Sequence, residues 1–144
     1  MVASEEAVAK YGLTPLAEII AVGQGGVDPA IMGMGPVPAI KNALEKANLK
    51  LTDIEVLELN EAFAAQSLGV MKQLCIDHNV SSSFFEERCN KNGGAIALGH
   101  PIGSSGNRIT VSLVHEMKRA GNKYGLASLC IGGGMGTAII LKNV

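Results

Sequence analysis

The stretch YGLASLCIGGGMGTAIILK, residues 124–142, decides the fold class. Two apolar runs, YGLASLCIG and GTAIILK, flank a glycine-rich break, the signature of two strands folded back on each other. Ahead of them lies a helical pattern from about Ser105 to Ala120, with Ile109, Leu113 and Met117 on its inner face and Gly121 as its stop. Further back, EVLELN (55–60) reads as a short strand running straight into EAFAAQSLGVMKQLC, a helix apolar on most sides and therefore expected to be covered by other protein. A helix from about Pro38 to Asn48 carries Val37, Ile40, Leu44 and Ala47 on one face, and AEIIAVGQ (17–24) is a strand. Residues 3–10 read as a helix with Ser4 as a partial N-cap and Gly12 as its end. GGVDPAIMGMGPVP is expected to be a long loop, LTDI a turn, IDHNVSSSFFEE a polar turn region, and RCNKNGG the place of a short strand. Strands alternating with helices and closing in an antiparallel pair predict a layered α/β domain. Its central sheet is expected to be mixed and mainly parallel, ending in an antiparallel strand.

Composition narrows the function. The 144 residues suit one domain, and 47% apolar content supports a real core. A formal net charge of -1, no arginine-rich run and 3% aromatic residues argue against a nucleic-acid partner. No uninterrupted apolar stretch approaches the ~20 residues of a membrane span. The opening MVASEEAVAKYG mixes polar and apolar residues with early acids and does not read as a secretory leader. Three widely spaced cysteines, Cys75, Cys89 and Cys130, make a disulfide framework a poor reading; a reducing, cytoplasmic setting is expected.

Three polar residues fall at predicted strand ends or glycine turns: Asn60, His100 and Cys130. In α/β sheets, ligands bind beyond strand ends, where loops gather residues distant in sequence. Each has a plainer alternative: Asn60 as a helix cap, His100 as a hydrogen-bonded structural group, Cys130 as inert core. The glycines favour chemistry. CIGGGMG leaves bare amides directly after Cys130, where they can hold a developing negative charge. GHPIGSSG sets His100 just ahead of a helix start, and a neutral imidazole there can take a proton from a thiol. Cysteine and histidine together suggest acyl transfer or carbanion chemistry. GHPIGSSG lacks the lysine and spacing of a phosphate loop, GGGMG precedes a strand rather than a helix, and His78, His100 and His115 have no metal-ligand spacing with the cysteines.

Four motifs in order carry a family resemblance: GVDPAIMGMGPVPA (26–39), NEAFAAQ (60–66), NGGAIALGHPIGSSG (92–106) and CIGGGMG (130–136). Together they resemble the C-terminal domain of a thiolase, an acetyl-CoA acetyltransferase or 3-ketoacyl-CoA thiolase. The resemblance implies a tail of the preceding domain and linker over residues 1–16 and the C-terminal thiolase domain over 17–144. It implies thiolysis, or Claisen condensation, of acyl-CoA thioesters, with coenzyme A and acetyl-CoA as substrates and no permanently bound cofactor. By similarity, His100 would activate a nucleophilic cysteine and help bind the thioester oxygen. Cys130 would move the α-proton, Asn60 would hold a water aimed at the same oxygen, and the amide of Gly132 would contribute to a second oxyanion site. Asparagine at 60 sets the chain apart from related decarboxylating enzymes, which carry histidine there.

In the family the nucleophilic cysteine belongs to the N-terminal half, and neither Cys75 nor Cys89 stands in its context. The expectation is a domain inactive alone, whose partners are an N-terminal thiolase half and, in the whole enzyme, further copies in a homo-oligomer. A stand-alone interaction domain and one subunit of a split thiolase are the alternatives.

Overall fold

The computed structural model describes residues 1–144. In chain order the elements are α1 (Glu5–Tyr11), β1 (Ala17–Gly26), α2 (Pro36–Ala47), β2 (Val56–Leu59), α3 (Ala64–His78), α4 (Ser82–Arg88), α5 (Ala95–Leu98), α6 (Ser105–Ala120), β3 (Tyr124–Cys130) and β4 (Met135–Asn143). The strands form one sheet in the order β1-β4-β3-β2. The hairpin expected from residues 124–142 is present, with Cys130 opposite Gly136 and Tyr124 opposite Lys142.

The sheet is mixed, but not mainly parallel. Only β2 and β3 run parallel; β1 with β4 and β3 with β4 are antiparallel. Alternation of strand and helix along a chain does not say which strands become neighbours. Here the hairpin inserts β4 between β1 and β3, which reverses direction at two of the three joints.

Helices cover both faces. On one side α2, α3 and α4 bury Ile40, Leu44, Leu74 and Phe85 against Leu57, Leu126 and Ile140. On the other, α6 lays Ile109, Leu113 and Met117 over Val56, Ala127 and Leu141. The inner face read from the period of α6 is thus the buried one; each such side chain contributes about 1.5–3 kcal/mol. All four residues of β2 are buried, as expected for a strand between two helical layers. The close approach of α2 to the sheet depends on missing side chains: a Cβ at Gly23 would strike the Ala39 carbonyl, and one at Gly136 the Gly35 carbonyl.

Local expectations held best where chemistry was local. Ser4 accepts a hydrogen bond from the Ala7 amide at 3.2 Å, and Gly12 ends α1 in the left-handed region. Packing changed others. The expected loop at 25–38 contains a 3-10 turn, Pro29–Met34, and α2 starts inside it, at Pro36. Helix α3 begins at Ala64 rather than directly after β2, and runs on to His78. The polar turn region is largely helical, because Phe84 and Phe85 of α4 enter the core with their rings edge to face at 5.2 Å. The short strand sought in 88–94 is a single parallel bridge between Leu57 and Cys89.

Candidate active site

β2 and β3 end side by side, in register from Val56 opposite Gly125 to Leu59 opposite Ser128. Asn60 follows β2 and donates its backbone amide to the Ser128 carbonyl at 3.0 Å, which continues the ladder by one step. Its side chain is buried, with 2% of the residue exposed. It caps no helix, since the N-cap position of α3 is Phe63.

His100 reaches this strand end from the α5–α6 loop. Asn60 Nδ2 lies 3.4 Å from His100 Nε2, and His100 Nδ1 lies 2.5 Å from Ser105 Oγ, at the start of α6. The Ser105 hydroxyl also donates to the Pro101 carbonyl at 3.4 Å. The Asn60 Nδ2 group only donates, so Nε2 accepts and the ring proton sits on Nδ1, toward the Ser105 oxygen. The Nε2 lone pair is then turned toward Asn60. Asn60, His100 and Ser105 therefore make one hydrogen-bonded set, in which Nε2 is the one basic nitrogen of the ring.

The segment that leads into this loop, from Asn90 through α5, is tied to β2 by polar side chains. Asn90 accepts from the Leu59 amide at 3.0 Å and donates to the Leu59 carbonyl at 2.9 Å, mimicking a neighbouring strand. Glu61 accepts from the Ile96 amide at 3.1 Å, and Gly94 lies so close to that carboxylate that a Cβ would collide with it. Asn92 donates to Glu116 at 2.9 Å; that bond first, and Arg119 next, hold the Glu116 carboxyl below its ordinary range.

Cys130 ends β3 and is 8% exposed; burial pushes its thiol above the ordinary cysteine value. It makes no side-chain hydrogen bond to the Asn60–His100–Ser105 set; what it shares with them is the rim of the sheet. Gly132 opens the turn Gly132–Gly134, exposed and with nothing near the position a Cβ would take. The turn is clamped on its other side, where the Val27 amide donates to the Gly134 carbonyl at 2.8 Å and Gly134 takes a φ of 89°. Around this rim Phe63, Leu98, Ile102, Ile131 and Met135 are exposed, an unusually apolar border for polar chemistry.

The other two cysteines line a cavity of about 600 Å³ between α3 and α4, with Glu61, Met71 and Phe85. Burial raises the Cys75 thiol and pushes Cys89 up to about 12. Neither environment favours the thiolate that attack requires. Sequence reading named Asn60, His100, Cys130 and Gly132. It missed Ser105, Asn90 and Glu61. Serine at a helix start reads as a cap, and the other two are recognisable only once the loop is seen against β2.

A parallel strand pair with a histidine–asparagine set at its carboxyl end defines a site of the α/β class. The chain belongs to the thiolase family: residues 13–143 match the model described as "Thiolase, C-terminal domain". An acetyl-CoA acetyltransferase of Syntrophomonas wolfei is 52% identical over 142 residues, covering 99% of this chain and 34% of the relative. The human mitochondrial 3-ketoacyl-CoA thiolase is 52% identical over 143 residues, again 99% of this chain and 34% of that protein. A crystal structure of that human enzyme in complex with CoA superposes with a TM-score of 0.90 at 53% identity, covering 99% of this chain and 34% of the other. The chain thus spans about a third of the length of the relatives it matches.

Proposed function

We propose that this domain supplies the acid–base half of a thiolase active site and works with a segment outside residues 1–144 that carries the nucleophilic cysteine. The observation that carries the reading is the Asn60–His100–Ser105 set at the end of β2, on a rim shared with Cys130 and Gly132. In this reading residues 1–16 are the tail of a preceding domain and linker, and 17–144 the catalytic C-terminal domain.

In thiolysis the nucleophilic thiol gives its proton to a base, the role assigned to His100 Nε2. The resulting thiolate attacks the 3-keto carbon of a 3-ketoacyl-CoA, and the bond between the α- and β-carbons breaks. The electron pair leaves as the enolate of acetyl-CoA, which takes the proton of the Cys130 thiol. A thiol held protonated by burial suits that delivery. The imidazolium of His100 and a water held by Asn60 stabilise the enolate oxygen. The amide of Gly132 stabilises the oxygen of the tetrahedral intermediate, where an exposed glycine lets a bulky thioester approach. CoA-SH gives its thiol proton to the Cys130 thiolate, and the CoA sulfur attacks the acyl-cysteine; acyl-CoA leaves, and the freed nucleophilic thiolate takes its proton back from His100. Condensation runs the same steps backwards.

Coenzyme A and acetyl-CoA are substrates here rather than resident cofactors, and the whole enzyme is a homo-oligomer acting in the cytoplasm. The test is CoA-dependent cleavage of acetoacetyl-CoA. This chain alone should show no rate above a His100→Ala control. Mixed with the N-terminal half of a thiolase, it should show a rate that His100→Ala lowers by about 10²-fold or more. A His100-dependent rate from the chain alone would mean that a local cysteine serves as nucleophile, and the reading would fail.

A further inference from the structure

Along the interface of β2 and α6, behind the Asn60–His100 pair, six polar atoms are enclosed without a hydrogen-bond partner. They are both carboxylate oxygens of Glu58, Nε, Nη1 and Nη2 of Arg108, and Oδ1 of Asn60. The whole molecule has eight such atoms, so this is a concentration at one place rather than scatter. Glu58 is 0% exposed. Val56 packs into the α6 core whereas Leu57 and Leu59 pack into the opposite one, so Glu58 and Asn60 share with Val56 the face turned to α6. Arg108 stands one helical turn after Ser105, the residue that holds the His100 ring.

Glu58 and Arg108 form no direct ion pair, yet the arginine charge favours the ionised carboxylate against the burial that opposes it. The other charges facing Glu58 are Glu116 of α6, itself held by Asn92 and Arg119, and Glu61 after β2; the Cys89 thiol is also near. Burial and these acids together raise Glu58 to about 7. Opposed buried charges with unused donors and acceptors are a site for bridging water, which makes two to four hydrogen bonds where polar groups converge.

We infer that Glu58 and Arg108 are positioning residues for Asn60 and His100, acting through enclosed water that joins the carboxylate and the guanidinium to the Asn60 amide oxygen. The water fixes which way the amide faces, and therefore that its NH2 group meets His100 Nε2. The inference rests on the proposed function only in giving Asn60 and His100 a role; the geometry behind them stands apart from it.

The experiment is NMR on the 144-residue chain, labelled with 13C and 15N. In the wild type, the Asn60 side-chain amide should show a cross-relaxation peak to a long-lived water; its absence would overturn the inference. The Asn60 amide shift should follow the Glu58 carboxyl through one common midpoint, and a flat Asn60 signal while Glu58 titrates would also overturn it. Both measurements need no variant to fold. In Glu58→Gln at constant pH, the Asn60 amide and the His100 ring nitrogens should move, whereas in a surface control, Glu45→Gln, they should not. Unmoved signals in folded Glu58→Gln would contradict the inference. None of these signals depends on catalysis. Water and coupling present, with no thiolysis in the two-part mixture, would overturn the proposed function and leave this inference standing.

Discussion

At the residue scale the strongest constraint is on a hydroxyl. Ser105 is the acceptor that fixes the proton of the His100 ring on Nδ1. Ser105→Ala removes one hydrogen bond of about 1 kcal/mol, so the rate of the two-part enzyme should fall roughly fivefold while the fold is kept. A rate equal to wild type would show that the ring is held by other means. Glu58 gives a pH signature. Its carboxyl is raised from 4.5 to about 7, so the folded state binds its proton more tightly than the unfolded chain. That contribution to stability is complete below 4.5 and is lost as pH rises through about 7. Glutamine at 58 does not titrate, so the melting temperature of Glu58→Gln minus wild type should grow from about pH 5 to pH 8. A difference that shrinks over this range would reverse the sign argued here. Asn60, His100 and Cys130 stood out in the sequence as candidates because strand ends and glycine turns announce themselves, whereas Gly132 came from the family resemblance. Ser105, Asn90 and Glu61 were not, because their partners lie across the loop.

At the element scale, glycines set how close helix and sheet can come. Gly35 ahead of α2 and Gly136 of β4 meet backbone to backbone, with no room for a methyl group on either. Gly136→Ala is expected to cost about 3 kcal/mol or more, because main chain cannot step aside as a side chain can. Chemical denaturation with an unchanged midpoint would show that α2 shifts at little cost. The period of α6 named its buried residues from sequence. The same method failed on α4, where a polar stretch hides two phenylalanines. Seven residues are too few for a period to speak, and it is the core against β2 that holds them helical.

At the scale of the whole molecule, helix α3 carries an exposed apolar face. Helix α3 buries Ser67, Val70 and Leu74, yet leaves Leu68 and Ile76 exposed, with Phe63 exposed at its start. The sequence already showed this helix as apolar on most sides. Such a face favours association. Light scattering on the isolated chain should give a mass above one chain that rises with concentration. Leu68→Glu should lower it, and a constant single-chain mass at high concentration would count against an adhesive face.

The sequence by itself determined the four strands, the helices α1, α2, α3 and α6, the closing hairpin and the inner face of α6. These follow from short-range rules of period, capping and glycine placement, which act within a few residues. Only the tertiary structure decided that β4 lies between β1 and β3, which makes the sheet mostly antiparallel. It alone seated Asn60 against His100, forty residues away, and placed Glu58 and Arg108 behind them. Pairing across the sheet and burial between layers depend on which distant surfaces meet, and a linear pattern carries that information only indirectly.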